Sequence, residues 1–149
     1  MALSYLLSTI LGSYATTGTT KQQLSPGISL SSNVLKTNGS IVRVIAYGTT
    51  AANNNQKSFS IEFAGREVAY MLTGANNRAM ELEAILCRAS STHVSAFGQG
   101  VCGSQAMTLH TCVMYSLSSA ISIGAFSTTA VAASGFVLRA MTIEELQAG

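Results

Sequence analysis

The 149-residue sequence contains no aspartate and no tryptophan, and few side chains are charged: eight Lys or Arg and six Glu. A net charge of +2 without any Lys or Arg cluster argues against a dedicated nucleic-acid binder, which must neutralise many phosphates. Exposed helices usually carry Glu, Lys and Arg, so this scarcity favours strands and loops. Because a free monomer normally keeps a well charged surface for solubility, we expect partners to cover much of this one.

Cysteine is scarce too. The three cysteines, Cys87, Cys102 and Cys112, are an odd number without the spacing of a disulfide framework. This usage favours a reducing compartment, in which buried thiols act as small apolar groups. The apolar N-terminus has no basic residue before Lys21 and is too short to span a bilayer. We therefore expect a soluble, non-secreted and unprocessed protein without a membrane partner.

Serine and threonine are abundant, and from residue 24 onward short runs of period two follow one another between Gly, Asn and Ser clusters. Eight runs are predicted as strands, at residues 40–47, 57–63, 66–72, 80–88, 92–97, 105–116, 120–126 and 135–142. No alternation of strand and helix points to a parallel α/β sheet. The sequence therefore predicts an all-β domain over residues 24–149, a jelly-roll-like antiparallel β-sandwich of about eight strands.

Individual runs add detail to this prediction. Residues 40–47 are apolar at almost every position, which indicates a central strand buried on both faces. Residues 57–63 alternate cleanly, and residues 80–88 also place four apolar side chains on one face if they form a strand. The inward side chains expected on these two strands are Phe59, Ile61 and Phe63, and Met80, Leu82, Ala84 and Leu86. A loop is expected at 48–56, a hairpin turn at Ala64-Gly65 and a further turn at Asn38-Gly-Ser40.

The first 23 residues differ from the rest and are predicted to form an N-terminal amphipathic helix followed by a polar tether. The apolar residues recur at i, i+3, i+4, i+7 and i+8, and Gly12 is placed to end the helix. A helix this short needs a surface to lie against, so its stripe is a candidate partner-binding anchor. The anchor residues are Leu3, Leu6, Leu7, Ile10 and Leu11.

One motif suggests a cofactor. Residues 98–103, GQGVCG, match the glycine pattern of dinucleotide-binding turns. That chemistry also needs a following helix and an acidic residue about 20 positions later to hold the ribose. No Asp or Glu occurs between Glu83 and Glu144, so a glycine-rich loop is the favoured interpretation and no cofactor is expected.

Two other groupings suggest metal binding or acid/base chemistry. Cys102, His110 and Cys112 lack the close ligand pairs and the fourth ligand of a structural zinc site, so no metal is expected. Glu81 and Glu83 would share a strand face about 7 Å apart, which is the separation of a glycosidase carboxylate pair. Nucleophile elbows and phosphate loops are absent from the sequence, and neither histidine has an Asp to orient it. We expect a protein that is not an enzyme.

A more specific pattern lies at residues 33–57, NVLKTNGSIVRVIAYGTTAANNNQK. This stretch resembles a β-sandwich module of tailed-phage virion structural proteins, in which a Leu-x-Thr-Asn-Gly turn enters a strand with one inward Arg. In that module a Gly-Thr-Thr-Ala-x-Asn-x-Asn loop and a Lys-led strand follow. Residues 135–146, GFVLRAMTIEEL, are similar to its closing strand. With residues 80–88, the resemblance covers about residues 24–147, although 92–134 match only in strand rhythm.

The resemblance implies a structural virion protein, since such modules occur in capsid decoration proteins and in fibre or spike parts and commonly form trimers. A cement subunit needs no shaft, which favours a homotrimeric capsid decoration protein on the capsid surface, assembled in the host cytoplasm. Its partner would be the major capsid protein, bound across capsomer junctions, and Arg43 would be held within the module. The alternative is a tail or head fibre tip that recognises host glycan through the 48–56 loop, and a third class is a hydrolase using Glu81 and Glu83.

Overall fold

The computed structural model describes residues 3–31, 33–114, 120–129 and 135–147, and it confirms an all-β sandwich of two antiparallel sheets. The described strands are β1 Leu3–Ala15, β2 Gln22–Gln23, β3 Ile28–Leu30, β4 Ile41–Thr50, β5 Lys57–Phe63, β6 Arg66–Thr73, β7 Ala79–Arg88, β8 His93–Cys102, β9 Gln105–Met114, β10 Ile121–Thr129 and β11 Phe136–Gln147. Within these ranges, no helix has the length and hydropathy that a membrane span requires.

The larger sheet has six strands in the order β1-β11-β4-β7-β8-β9, and the smaller sheet has the order β2-β10-β5-β6, with β3 also pairing β10. Most connections carry the chain from one sheet to the other, as expected for a jelly-roll-like sandwich. β2 and β3 both pair with β10, and the segment that holds Pro26 separates them. There the Ser25 hydroxyl accepts a hydrogen bond from the Ala125 amide and so replaces a bond of the ladder.

The core lies between the two sheets and is built from the alternating positions that the sequence predicts. Phe59, Ile61 and Phe63 of β5 are fully buried, and the predicted inner row of β7, from Met80 to Leu86, is buried as well. Phe59 stacks on Phe136 of β11 with ring centroids 4.2 Å apart, so the two sheets meet through aromatic contact. The predicted hairpin between β5 and β6 is confirmed, with Ala64 and Gly65 both at positive φ.

The glycine-rich motif at 98–103 is not a loop, because β8 continues through it to Cys102. Gly98 and Gly100 point into the core, where β6 of the other sheet comes very close. A Cβ atom on Gly98 would overlap the Val68 carbonyl oxygen and lie 2.7 Å from the Ala69 Cα. These glycines therefore permit close packing of the sheets, and the element that follows the motif is the strand β9 and not a helix that could hold a pyrophosphate.

The predicted N-terminal helix is wrong: residues 3–15 form the edge strand β1 and pair with β11 along its length. A helix of about ten residues is marginal in water, whereas β11 offers a full row of hydrogen-bonding groups to an extended partner. A register shift between Leu6 and Ser8 interrupts the alternation of β1. The spacing that resembles a helical stripe thus belongs to a bulged strand.

Candidate functional site

The outer face of the larger sheet, which points away from the core, carries large apolar side chains in cross-strand rows. One row has the apolar residues Leu6 of β1 at one end and Ile85 of β7 and Phe97 of β8 at the other. The charged residues Glu144 and Arg43 lie between them. We define the apolar face as the outward hydrophobic side chains of β1, β4, β7, β8 and β11 on this sheet, apart from Tyr47 and Val101 at one corner. Its members are Leu6, Leu11, Ile41, Ile45, Ile85, Phe97 and Leu146.

The central position predicted for residues 40–47 is confirmed, because β4 lies between β11 and β7. Burial on both faces is wrong for the isolated chain. Val42, Val44 and Ala46 are fully buried on the inner side, but on the outer side Tyr47 is 39% exposed and Arg43 is only half-buried. The strand has the composition of a doubly buried element, and its own chain covers the outer side only in part, at Ile45.

The predicted anchor residues are divided between the two sides of β1. Leu7 and Ile10 pack against the protein's own core, whereas Leu6 is 63% and Leu11 74% exposed on the apolar face. The Leu3 side chain lies outside the described residues. The stripe is therefore not on one side of the strand, and of its four described side chains Leu6 and Leu11 are the two placed to contact a partner.

A polar cluster at Glu83 interrupts the apolar face. The Glu83 carboxylate is buried and accepts a hydrogen bond from Arg43 Nε at 2.5 Å and another from the Gln99 side-chain amide. The hydrogen bond with Glu83 raises the pKa of the Arg43 guanidinium, and the nearby Glu144 acts in the same direction. Arg43 is held within the module by this ion pair, as expected, but it lies on the outer face of β4 and not inward.

Of the two residue groupings considered for chemistry, the structure describes both side chains of the Glu81 and Glu83 pair but only Cys102 of the other. Glu81 and Glu83 share the outer face of β7, but Glu83 is committed to Arg43 and Gln99 while Glu81 is exposed. Cys102 is buried at its pairing with Met80, and the side chains of His110 and Cys112 lie outside the described residues. Among the side chains that the structure describes, no group of three His, Cys, Asp or Glu could hold a metal ion.

The outer face of the smaller sheet is different. Its outward positions hold mainly Ser, Thr, Gly and Glu, of which Ser58, Ser60 and Glu62 lie on β5. Lys21, from the segment before β2, forms ion pairs with Glu62 and with Glu67 (3.5 Å), and its ammonium lies 5.5 Å from the Phe126 ring centroid. The hydrogen bond with Glu62 raises the pKa of Lys21. This face is therefore mostly polar and partly covered by the chain itself, although Leu72 is also exposed on it.

The predicted loop at 48–56 is shorter than expected, because Gly48, Thr49 and Thr50 belong to β4. The remaining loop is fixed from inside by Lys57, which is fully buried. Lys57 Nζ donates to the carbonyl oxygens of Asn53 (2.8 Å), Asn55 (2.6 Å) and Ala75 (3.3 Å). Burial lowers the pKa of Lys57, because three neutral carbonyls replace water only in part.

Phe97, Ile85 and Tyr47 were not predicted from the sequence to be surface residues. A signal exists in β8, where Phe97, Gln99 and Val101 alternate with Ala96, Gly98 and Gly100. The larger side chains occupy one side and the small ones the other, so the small side faces the opposing sheet. The glycines of the motif hid this alternation, since they suggested a loop.

Comparison with known proteins gives no family: no family model matches the chain and no curated protein matches its sequence. Among solved structures, it is similar to the C-terminal domain of EclA, a sugar-binding protein, at 12% identity and a TM-score of 0.47, covering 93% of this chain and 81% of that one. It is also similar to the CBM2 module of the evolved Dit of Lactobacillus casei BL23 phage J-1, at 9% identity and a TM-score of 0.46, covering 99% and 98%. These values are too low to transfer residue roles.

Proposed function

We propose that this protein is a structural subunit of a phage virion, a capsid decoration protein that trimerises and binds the major capsid protein across capsomer junctions. The observation that carries the proposal is the apolar face of the larger sheet. It presents Leu6, Leu11 and Phe97 to solvent although the sequence has few charges to keep such a surface soluble. A second copy of the chain is the partner that we assign to this face.

The size of the face supports association between copies. The five strands of the apolar face, about 4.8 Å apart, and its four outward rows, about 6.8 Å apart, give an area of about 550 Å² without the corner that holds Tyr47, Glu81 and Val101. A stable protein interface buries about 800 Å² per partner, so this face together with its rim is large enough. The charged cluster at Glu83 lies inside this area, and its ion pair removes most of the repulsion that identical carboxylates would cause.

The edge of the sheet supports association as well. β1 is an edge strand of 13 residues, and long edge strands with exposed apolar side chains are prone to contact other chains. Leu6 and Leu11 extend the apolar face to this edge. In a trimer, they would contact either a neighbouring copy or the capsid shell, which is the role that the anchor hypothesis gave to the whole stripe.

The sharpest test compares two exposed apolar residues on opposite outer faces. Phe97, on the apolar face, is 42% exposed, and Leu72, on the smaller sheet, is 39% exposed. We expect wild type to sediment as a trimer, Phe97→Asp to weaken association at least a hundredfold, and Leu72→Asp to leave it unchanged. Circular dichroism and thermal melts would establish that both variants fold.

Two results would contradict the proposal. If the wild-type protein stays monomeric at micromolar concentration, the apolar face does not join copies of the chain. If a trimer forms but is insensitive to Phe97→Asp, another surface must form it. The capsid location has a separate test: purified particles should contain many copies, and undecorated shells should take up wild type but not Phe97→Asp.

The second candidate function is recognition of a host surface glycan by a fibre or spike tip. Asn54, Asn55 and Gln56 are exposed at the end of the sandwich and offer amide groups for hydrogen bonds. Lys57 holds the loop backbone in one conformation, which would reduce the entropy lost on binding. A tip subunit would be present in only a few copies per particle, so the same copy-number measurement separates the two candidates.

A further inference from the structure

A cleft opens at one corner of the larger sheet's outer face, beyond the apolar face. It lies where β4 and β8 end and β7 begins, and its volume is about 540 Å³. Ligand sites usually enclose about 300 to 1,000 Å³, so a small molecule fits here. We call it the Tyr47 cleft, and its lining residues are Tyr47, Arg78, Ala79, Met80, Glu81, Val101 and Gly103.

The lining combines one aromatic face with charged groups of both signs. Tyr47 and Glu81 are cross-strand partners, and Val101 is the partner of Glu81 on the next strand, so the three side chains lie in one row. All three are exposed. A tyrosine ring beside an aliphatic side chain offers an apolar platform, and the carboxylate beside it accepts hydrogen bonds.

Arg78 completes the set from the segment before β7. Its aliphatic stem lies over Gly103, where a Cβ atom would be 3.6 Å from Arg78 Cγ and Cδ. The Arg78 amide donates to Thr50 Oγ1 at 2.9 Å, which fixes the backbone at the mouth of the cleft. Among the described residues, neither the Arg78 guanidinium nor the Glu81 carboxylate has a hydrogen-bond or ion-pair partner, so both are available to a ligand.

We propose that the Tyr47 cleft binds a neutral saccharide. One face of a pyranose ring is lined by C–H groups, which suit the Tyr47 ring, and its edge carries hydroxyl groups that both donate and accept hydrogen bonds. Glu81 accepts from such hydroxyls and Arg78 donates to them, a pairing that an anion, a cation or a purely apolar molecule would satisfy only in part. Sugar binding in this cleft would not depend on the virion location proposed above.

The test uses the full-length protein and a panel of neutral disaccharides, lactose, maltose and cellobiose, in the millimolar range. Binding is measured by saturation-transfer NMR and by chemical-shift changes of the cleft residues. We expect at least one sugar to bind, Tyr47→Ala and Glu81→Ala each to weaken binding at least tenfold, and Tyr47→Phe to retain most of it, since the ring carries the contact.

The controls separate this site from the assembly surface and from non-specific binding. Tyr70→Ala removes a tyrosine from the outer face of the smaller sheet and should leave sugar binding unchanged. Sedimentation of Tyr47→Ala should still give the wild-type oligomer, so loss of sugar binding and loss of assembly are distinguishable. The inference is overturned if none of the sugars shifts the cleft resonances, or if Tyr47→Ala binds as well as wild type.

Discussion

The outer faces of the two sheets have similar access to solvent but very different chemistry. On the smaller sheet, outward Ser and Glu side chains lie beneath Lys21, which pairs with Glu62 and Glu67. On the larger sheet, Leu6, Leu11 and Phe97 are open. The chain therefore covers part of one face and leaves more apolar side chains open on the other, which favours the larger sheet as the surface that contacts another protein.

The largest expected effect is the loss of stability caused by Gly98→Ala. Its neighbour Phe97 provides the comparison, because the two residues point to opposite sides of the same strand. Gly98→Ala would push a Cβ atom into the backbone of β6, so we expect a loss of about 3 kcal/mol or more in the free energy of unfolding. Phe97→Ala should change stability by about 1 kcal/mol or less while it weakens association, since its ring is half exposed. Urea unfolding and sedimentation measure the two quantities.

Gly27→Ala is the matched control for Gly98→Ala. A Cβ atom on Gly27 would be 3.5 Å from the Gln23 side-chain amide, an ordinary contact, so we expect little loss of stability. If Gly98→Ala is as stable as Gly27→Ala, the sheets do not approach each other as described. The assignment of the inner and outer sides of β8 would then fail, and with it the position of Phe97 on the apolar face.

The inner side of the sandwich was largely predictable from the sequence, because strand alternation is a local pattern. The period-two runs of β5 and β7 place Phe59 and Leu82 in the core as expected. Long-range pairing was not predictable. The leucines of β1 fit a helical stripe equally well, and only the free edge of β11, at the other end of the chain, selects the strand.

The outer faces of the sheets were harder to predict, because the exposure of a side chain there depends on which other segments of the chain pack over it. Arg43 was expected to be held within the module, and it is, but its partner Glu83 was considered as a catalytic acid. The alternation of β5 places Lys57 in line with Phe59 and Ile61, but nothing in the sequence shows which groups surround its ammonium. A lysine at the start of a strand usually faces solvent, and only the folded loop brings three carbonyl oxygens to its ammonium.

An intermediate effect is expected when the buried carboxylate of each outer face is neutralised. Glu83→Gln leaves Arg43 without its closest ion pair in the middle of the apolar face, so association should weaken about tenfold and stability should fall by about 1 to 2 kcal/mol. Glu62→Gln should cost about 1 kcal/mol or less, because Lys21 is half exposed and retains Glu67. Sedimentation and urea unfolding of both variants measure the difference.

Equal effects of Glu83→Gln and Glu62→Gln on association would contradict the distinction between the two faces. They would show either that the smaller sheet also takes part in association or that neither sheet does. Glu144→Gln distinguishes these cases on the larger sheet, since its carboxylate also raises the pKa of Arg43. If the charges near Arg43 matter for assembly, this variant should change association in the same direction as Glu83→Gln, by a smaller factor.

The smallest expected effect is on the pH dependence of stability, which should differ between Lys21, on the outer face of the smaller sheet, and the buried Lys57. The folded pKa of Lys21 lies above 10.5, so its ion pair stabilises the protein below 10.5 and is lost as the pH rises through the folded pKa. The folded pKa of Lys57 lies below 10.5, so between that value and 10.5 the unfolded chain binds more protons. There its contribution to stability increases with pH.

The change of stability with pH that each lysine contributes is measured by urea unfolding of wild type, Lys21→Met and Lys57→Met at alkaline pH on either side of 10.5. We call these changes the two slopes. The stability difference between wild type and Lys21→Met should shrink as the pH rises, and the difference for Lys57→Met should grow. Added salt should reduce the first slope and leave the second almost unchanged, because only Lys21 is open to screening ions. Slopes of the same sign would mean that Lys21 does not cover the smaller sheet, and the contrast between the two outer faces would then depend on side-chain composition alone.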